Sequence, residues 1–291
     1  MHPAASVIIF TTFSGVGLGM LAWLGIDPTP STGLAAFGYF TVAFAFAVGG
    51  LIASTFHLGH PERAMKAFKQ WRSSWLSREG ICAVLSLIVM GLYAAGLIFL
   101  ETHYALLGWI GALLCLITVY TTSMIYGQLA TIPRWNTPLT SLLYLTFAIA
   151  GGALFAGRIT IALYLLIAAA LVQILWWKKG DTAFADRGSN LGSATGLGDR
   201  GTVRSMAHPH TSPNYLMREF IHIVGRKHAQ KLRVISLVLM AGLPVVLLAV
   251  LPAGHLLAIL CILSHLAGVA ISRWLFFAEA EHTVGIYYGA R

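Results

Sequence analysis

Three groups of residues in this 291-residue chain have the types and spacing for proton or electron chemistry. The first runs His57-Leu-Gly-His-Pro-Glu-Arg-Ala64 and is followed by Arg78-Glu79. Histidine at His57 or His60 can donate a hydrogen bond to a quinone carbonyl, and Glu79 can exchange the proton with water. Arg63 adds a fixed positive charge. The plain alternative is that His57 caps a helix and Glu79 pairs with Arg78 or Arg63; spacing leaves both open. The second group is Arg273, Glu279, Glu281 and His282. Arg273 either snorkels to lipid headgroups, neutralises a carboxylate facing the bundle, or polarises a bound cofactor. The third is His265, isolated in the middle of an apolar run. A bis-histidine haem needs two such residues facing one another. His255 and His57 stand at opposite ends of their runs, so no haem is expected in this chain.

Other chemistries find little support. Cys82, Cys115 and Cys261 are scattered over different apolar runs. An iron–sulfur cluster or structural zinc needs about four grouped ligands, so packing is the expected role and no metal site is predicted. The chain contains no phosphate-binding glycine loop, HExxH pair or nucleophile elbow, and soluble-type catalysis is unsupported.

The elements that position these residues are membrane helices. Of the chain, 57% is hydrophobic and only 10% charged, and mean hydropathy is +0.77. Such a balance cannot cover a water-facing surface, where roughly 25% charge is usual. Apolar runs long enough to span lipid fall at about 5–26, 33–57, 80–100, 104–126, 138–156, 159–177, 233–252 and 255–279. Asp27-Pro28-Thr29-Pro30, Gly157-Arg158 and Pro252-Ala253-Gly254 make tight turns between neighbours. The predicted fold is an all-α integral membrane bundle of eight transmembrane helices, forming one polytopic domain over 1–291. Small residues such as Gly15-Val-Gly-Leu-Gly19, Gly49-Gly50 and Gly151-Gly152 would let helix backbones approach closely.

Three links are polar. The first has Ala64, Ala67, Phe68 and Trp71 at helical spacing, interleaved with Arg63, Lys66, Lys69 and Arg72, which predicts an amphipathic interfacial helix. The second contains Thr131-Ile-Pro-Arg-Trp135. The third, a basic stretch at about 178–232, is predicted irregular from Gly180 to Gly201. A surface helix is predicted around Tyr215, Leu216, Phe220 and Ile221. Trp23, Trp71, Trp75, Trp135, Trp176 and Trp177 flank spans and read as an interfacial aromatic belt. Met1-His2-Pro3 leads into the first span without a basic flank, so that span reads as a retained helix.

Of the 19 lysines and arginines, all but Arg158 and Arg273 fall in these three links or at the C-terminus. The positive-inside rule therefore predicts a cytoplasmic location for the links and both termini. Orientation explains the net charge of +9, and no nucleic-acid partner is expected.

The stretch His57-Leu-Gly-His-Pro-Glu-Arg-Ala64, with Ser77-Arg-Glu79 after it, resembles the anchor subunit of dimethyl sulfoxide reductase. That family carries an HLG-x-P-x-R-A stretch followed by a glutamate opening the next helix. The segment from Arg273 to His282-Thr-Val-Gly285 is similar to the family's last helix and tail. The resemblance implies a membrane anchor in a three-subunit molybdoenzyme of a bacterial inner membrane. Its partners would be a molybdopterin catalytic subunit and an iron–sulfur subunit with four 4Fe-4S clusters. The anchor itself would exchange electrons with ubiquinone or menaquinone. The resemblance implies His57 and Glu79 as quinone-site residues, extended to Arg63 and Arg273, with His60, Glu279 and His282 as further candidates. The sulfoxide reductase anchor places its basic link on the outer face, whereas the charge pattern here places it in the cytoplasm. That departure, the long basic loop and the opening Met1-His-Pro-Ala with Phe10-Thr-Thr-Phe favour a cytoplasm-facing, sulfite-oxidising relative. Rival expectations are a sulfoxide reductase anchor that oxidises quinol and a transporter without redox function. Against the transporter, the chain shows no clear internal repeat and its ionisable groups cluster near one face, whereas transporters tend to have inverted repeats and midplane polar sites.

Overall fold

The computed structural model describes residues 1–291 except 57–63, 208, 209, 211, 213, 222, 223, 253, 290 and 291. Among the described residues the regular structure is all helical, and eight helices are long and apolar enough to cross a membrane. They are α1 (Ala5–Gly25), α2 (Gly33–Thr55), α3 (Trp75–Phe99), α4 (Ala105–Gly127), α5 (Pro138–Phe155), α6 (Ile159–Asp186), α7 (Arg226–Val250) and α8 (His255–Ala278).

The first helix is the centre of the bundle. It packs against α2, α4, α5 and α8, and 72% of its apolar window is buried, against 22% for α7. Glycine makes this possible. A β-carbon at Gly19 would collide with the Ala148 carbonyl of α5, and one at Gly50 of α2 would collide with the Ser14 backbone of α1. Without aqueous exclusion to drive helices together, such close backbone contact supplies much of the association energy in lipid. At the turn between α5 and α6, Gly157 adopts φ +69°, a left-handed conformation that glycine enters without steric cost.

Several boundaries differ from the sequence reading. Helix α3 starts at Trp75 rather than near residue 80, because Ser74 caps it by accepting from Ser77 N. Glu79 consequently sits a full turn inside the helix. Helix α6 runs on to Asp186 rather than ending at Trp177. Lys178, Lys179 and Asp181 end the apolar run without ending the helix, since lysine and alanine, here also Ala183 and Ala185, are good helix formers. The predicted irregular segment is thus helical to Asp186, and a short helix, Leu191–Thr195, follows with an Asn190 capping box. A helix over Tyr215–Phe220 is present, capped by Asn214. Ala64–Ala67 is helical and continues as a 3-10 turn over Phe68–Gln70.

Helix α7 contains a π-helical stretch, Val238–Gly242. Pro244 has no N–H to offer the carbonyl four residues before it, which is Met240. His265 Nδ1 lies 2.7 Å from that carbonyl, and Ser264 Oγ donates to Leu239 O at 2.7 Å. His265 Nε2 faces Gly151, where a β-carbon would stand 2.8 Å away. These contacts assign His265 to holding α7 and α5 against α8.

Candidate functional site

The described residues of the three polar links, the N-terminal residues and the end of α8 meet at one end of the bundle. The Met1 amino group donates to Phe277 O at 3.1 Å and Ala280 O at 2.9 Å, so it satisfies carbonyls at and just beyond the C-terminal end of α8. At this end a cavity of about 320 Å³ opens between α1, α3 and α4. Val7, Phe10, Leu76 and Leu129 supply apolar wall, Tyr126, Trp135 and Phe277 supply aromatic wall, and His2, Ser54, Glu79 and Glu219 bring polar groups.

Glu79 brings a buried carboxyl to this cavity. Its side chain is 5% exposed, and its Oε1 accepts a 2.6 Å hydrogen bond from Thr122 Oγ1 of α4. Among the described residues no cation lies within ion-pair distance. Arg78, its sequence neighbour, instead donates to Trp71 O and Arg72 O and lies over the Trp75 ring at 4.3 Å. A carboxyl at the edge of a cavity, held by one hydroxyl, can carry a proton and pass it to or take it from a ligand beside it.

Behind the cavity stands an aromatic layer. Tyr126 packs edge-on to Trp135 at 5.3 Å and stacks on Tyr144 at 5.9 Å. Trp135 stacks on Phe276 at 4.9 Å and donates from Nε1 to Phe276 O at 2.9 Å. Trp176 stacks on the other side of Phe276, and its Nε1 donates to Thr140 Oγ1. Trp135, Trp176 and Trp177 are therefore buried core residues and not the lipid-facing belt that their span-end positions suggested. Position in sequence marks membrane depth for a tryptophan but not whether it faces lipid or protein.

Arg273 is also deep in the bundle. It is 2% exposed, so it does not snorkel. Its guanidinium lies 3.6 Å from the centre of the Tyr144 ring and 5.1 Å from that of Phe147. Among the described residues Nε and Nη1 have no hydrogen-bond partner, and neither has the Tyr144 hydroxyl.

Glu279 belongs to a different structure. Its Oε1 accepts from Arg233 Nε at 2.9 Å and pairs with Arg233 Nη2 at 2.7 Å, while Oε2 is 3.9 Å from Arg134 Nη1. Asp181 completes the cluster, bonding Arg233 Nη1 at 2.8 Å and Arg134 Nη2 at 2.7 Å. Four elements are tied together: the α4–α5 link, the extension of α6, α7 and the end of α8. Burial pushes the Glu279 carboxyl above its usual range, against the pull of the two arginines. Glu281 pairs with Arg226 at 2.9 Å. His282 caps the 3-10 segment Thr283–Tyr288, with Nδ1 accepting from Val284 N at 3.0 Å and its ring 4.9 Å from Phe220. Burial, and then the Met1 ammonium, hold His282 below the ordinary histidine range.

Of the sequence candidates, the structure thus brings Glu79 to the cavity and Arg273 to the aromatic layer behind it. Glu279 and His282 lie elsewhere. His57, His60 and Arg63 fall outside the described residues. Tyr126, Trp135 and Tyr144 were not singled out for chemistry by the sequence. The available signal was Tyr126 and Tyr144 near span ends that share the polar-link face with Glu79. Among the described residues, no group of three or more His, Cys, Asp or Glu side chains is placed to hold a metal ion.

Comparison with known proteins bears on the whole chain. The family model described as DMSO reductase anchor subunit (DmsC) matches residues 1–279. The curated C subunit of the sulfite dehydrogenase of Allochromatium vinosum is 31% identical over 324 aligned positions, covering 99% of each chain. No solved structure matches. A helical chain with eight apolar spans that matches this model over nearly its full length belongs to the DMSO reductase anchor subunit family.

Proposed function

We propose that this chain is the quinone-site anchor of a three-subunit molybdoenzyme and passes electrons from an iron–sulfur partner to quinone during sulfite oxidation. The observation that carries this reading is an apolar, aromatic-walled cavity with one buried carboxylate, at the end of the bundle that gathers the polar links. A volume of about 320 Å³ is at the lower end for small-molecule pockets, which suits a ring headgroup whose tail leaves past Leu76 into lipid. The likeness to a sulfite dehydrogenase component supports sulfite over sulfoxide as the substrate of the catalytic partner.

In this reading the ring of ubiquinone or menaquinone packs against Tyr126 and Trp135. Glu79 passes protons between the cavity and water. His57 donates a hydrogen bond to one carbonyl: Ser54 lines the cavity, and three residues reach at most about 10 Å further. Arg63 and His60 balance charge and help dock the iron–sulfur subunit, whose four 4Fe-4S clusters receive electrons from a molybdopterin subunit. Haem and clusters are assigned to no part of this chain. The basic segment 178–232 clasps the soluble partners, and the whole of 1–291 acts as one domain of the bacterial inner membrane. Both termini lie in the cytoplasm, as the distribution of basic residues supports.

The test is to purify the tagged chain gently from its native membrane and measure molybdenum, iron and sulfite-dependent quinone reduction. The expected result is molybdenum with roughly sixteen irons per copy and quinone reduced by sulfite. A metal-free chain recovered alone from several mild detergents would overturn the assignment in favour of a transporter.

A further inference from the structure

The charge on Arg273 is unexplained by packing. An arginine cannot be deprotonated in a protein, and Arg273 is 2% exposed, with two guanidinium nitrogens that have no partner among the described residues. Among the described residues no carboxylate pairs with it. Glu279, near it on the same helix end, is taken by Arg233 and Arg134, and Glu79 is held by Thr122. Stacking on Tyr144 is worth about 2 kcal/mol when desolvated, whereas burying a charge costs several kcal/mol. A leucine or methionine would fill this space at less cost. Among the described residues, the positive charge of Arg273 is therefore left with an unmet demand for negative charge.

One direction from Arg273 leads to the cavity. The guanidinium carbon lies 3.6 Å from the centre of the Tyr144 ring, Tyr144 stacks on Tyr126 at 5.9 Å with 27° between planes, and Tyr126 forms the cavity wall. This path runs through aromatic rings, and a low-dielectric aromatic layer transmits a field that water would screen. Glu79 shares the cavity.

We propose that Arg273 is a positioning residue that holds a positive potential in the cavity through the Tyr144–Tyr126 stack, stabilising the negative charge that electron transfer brings there. This rests on the quinone reading. In the balanced reaction, two electrons come from the iron–sulfur partner and two protons from water, with two O–H bonds formed on the quinone. Wherever an electron arrives ahead of its proton, the cavity carries excess negative charge, and a fixed, preorganised cation lowers the barrier to that arrival. The effect falls on the rate of turnover and little on the binding of neutral quinone.

The experiment uses the intact complex with Arg273→Met, which keeps the stem and removes the charge, and Arg273→Lys, which keeps the charge. Molybdenum, iron and sulfite oxidation by a soluble acceptor serve as assembly controls. Arg273→Met is expected to lower kcat for quinone about tenfold, less than loss of a direct donor, with KM for quinone within about twofold and Arg273→Lys recovering most of the loss. An unchanged kcat in Arg273→Met, or a Lys variant as impaired as the Met variant, would overturn the proposal, since charge would then not be what matters. Where Arg273→Met fails to assemble, Arg273→Gln against Arg273→Lys reads the same contrast. Absence of quinone turnover in the unaltered complex is a different failure and removes the quinone reading itself.

Discussion

Two buried carboxylates at the same end of this bundle have opposite surroundings. Glu79 and Glu279 are each 5% exposed. Glu79 has one hydroxyl donor and an apolar cavity beside it. Glu279 has two arginines, and Asp181 joins those arginines in a closed cluster. Burial alone therefore does not mark a site of chemistry. A carboxylate whose charge is already neutralised by fixed cations holds helices together; one that has no cation partner among the described residues, beside open volume, can exchange a proton with a ligand. The arginines divide the same way: Arg134 and Arg233 are committed to carboxylates, while Arg273 lies against aromatic rings.

Breaking the Glu279 side of this contrast should give the largest loss of stability. Glu279→Ala leaves Arg233 and Arg134, each with an 11% exposed side chain, short of a partner and is expected to cost about 3 kcal/mol, read as thermal unfolding in detergent. Quinone turnover per assembled complex should be unchanged; a fall comparable to that of a Glu79 variant would erase the distinction. Next in size, Trp135→Phe removes the hydrogen bond to Phe276 O from a buried wall of the cavity. A stability loss of about 1–2 kcal/mol is expected, with weaker quinone affinity because the wall loosens. Ala4→Phe sharpens the comparison from the other side. Ala4 lines the cavity at the N-cap of α1, so a larger side chain there should raise KM for quinone about tenfold, or about 1.4 kcal/mol, with metal content intact. Unaltered KM would place the headgroup elsewhere.

The smallest effect concerns His282. Burial holds its folded value below that of the unfolded chain. The stability it contributes is present above the ordinary histidine value and is lost as pH falls through the depressed folded one. Acidification should loosen the contact between His282 and Phe220, and His282→Gln should flatten that part of the pH dependence of thermal unfolding. An identical pH profile in the variant would show that this histidine does not titrate in the folded protein.

Legibility in the sequence followed physical scale. Spans, turns and the gathering of polar links at one end depend on hydropathy and charge summed over twenty residues, and these emerged directly. Glu79 was legible because an ionisable group inside an apolar span is rare for energetic reasons. The ends of α3 and α6 were not, because a cap at Ser74 and helix-forming residues beyond Trp177 leave no hydropathy signal. Whether Trp135 and Trp176 meet lipid or each other's neighbours depends on helix rotation, which a near-uniformly apolar span does not encode. The same ambiguity left Arg273 open between snorkelling and facing inward. Only the packing of α8 against α5, where Tyr144 and Phe147 meet it, decides the matter.

Proton delivery to the quinone, as proposed, depends most directly on Glu79. The measurement is sulfite-driven quinone reduction by the intact complex carrying Glu79→Gln, beside sulfite oxidation by a soluble acceptor that takes electrons from the partner subunits. The substitution keeps size and hydrogen-bonding capacity with Thr122 but removes the exchangeable carboxyl proton. Quinone turnover is expected to fall by about 10²-fold or more, with metal content and soluble-acceptor activity unchanged. Quinone turnover retained at the level of the unaltered complex would contradict the assignment of this cavity as the place where protons meet the quinone.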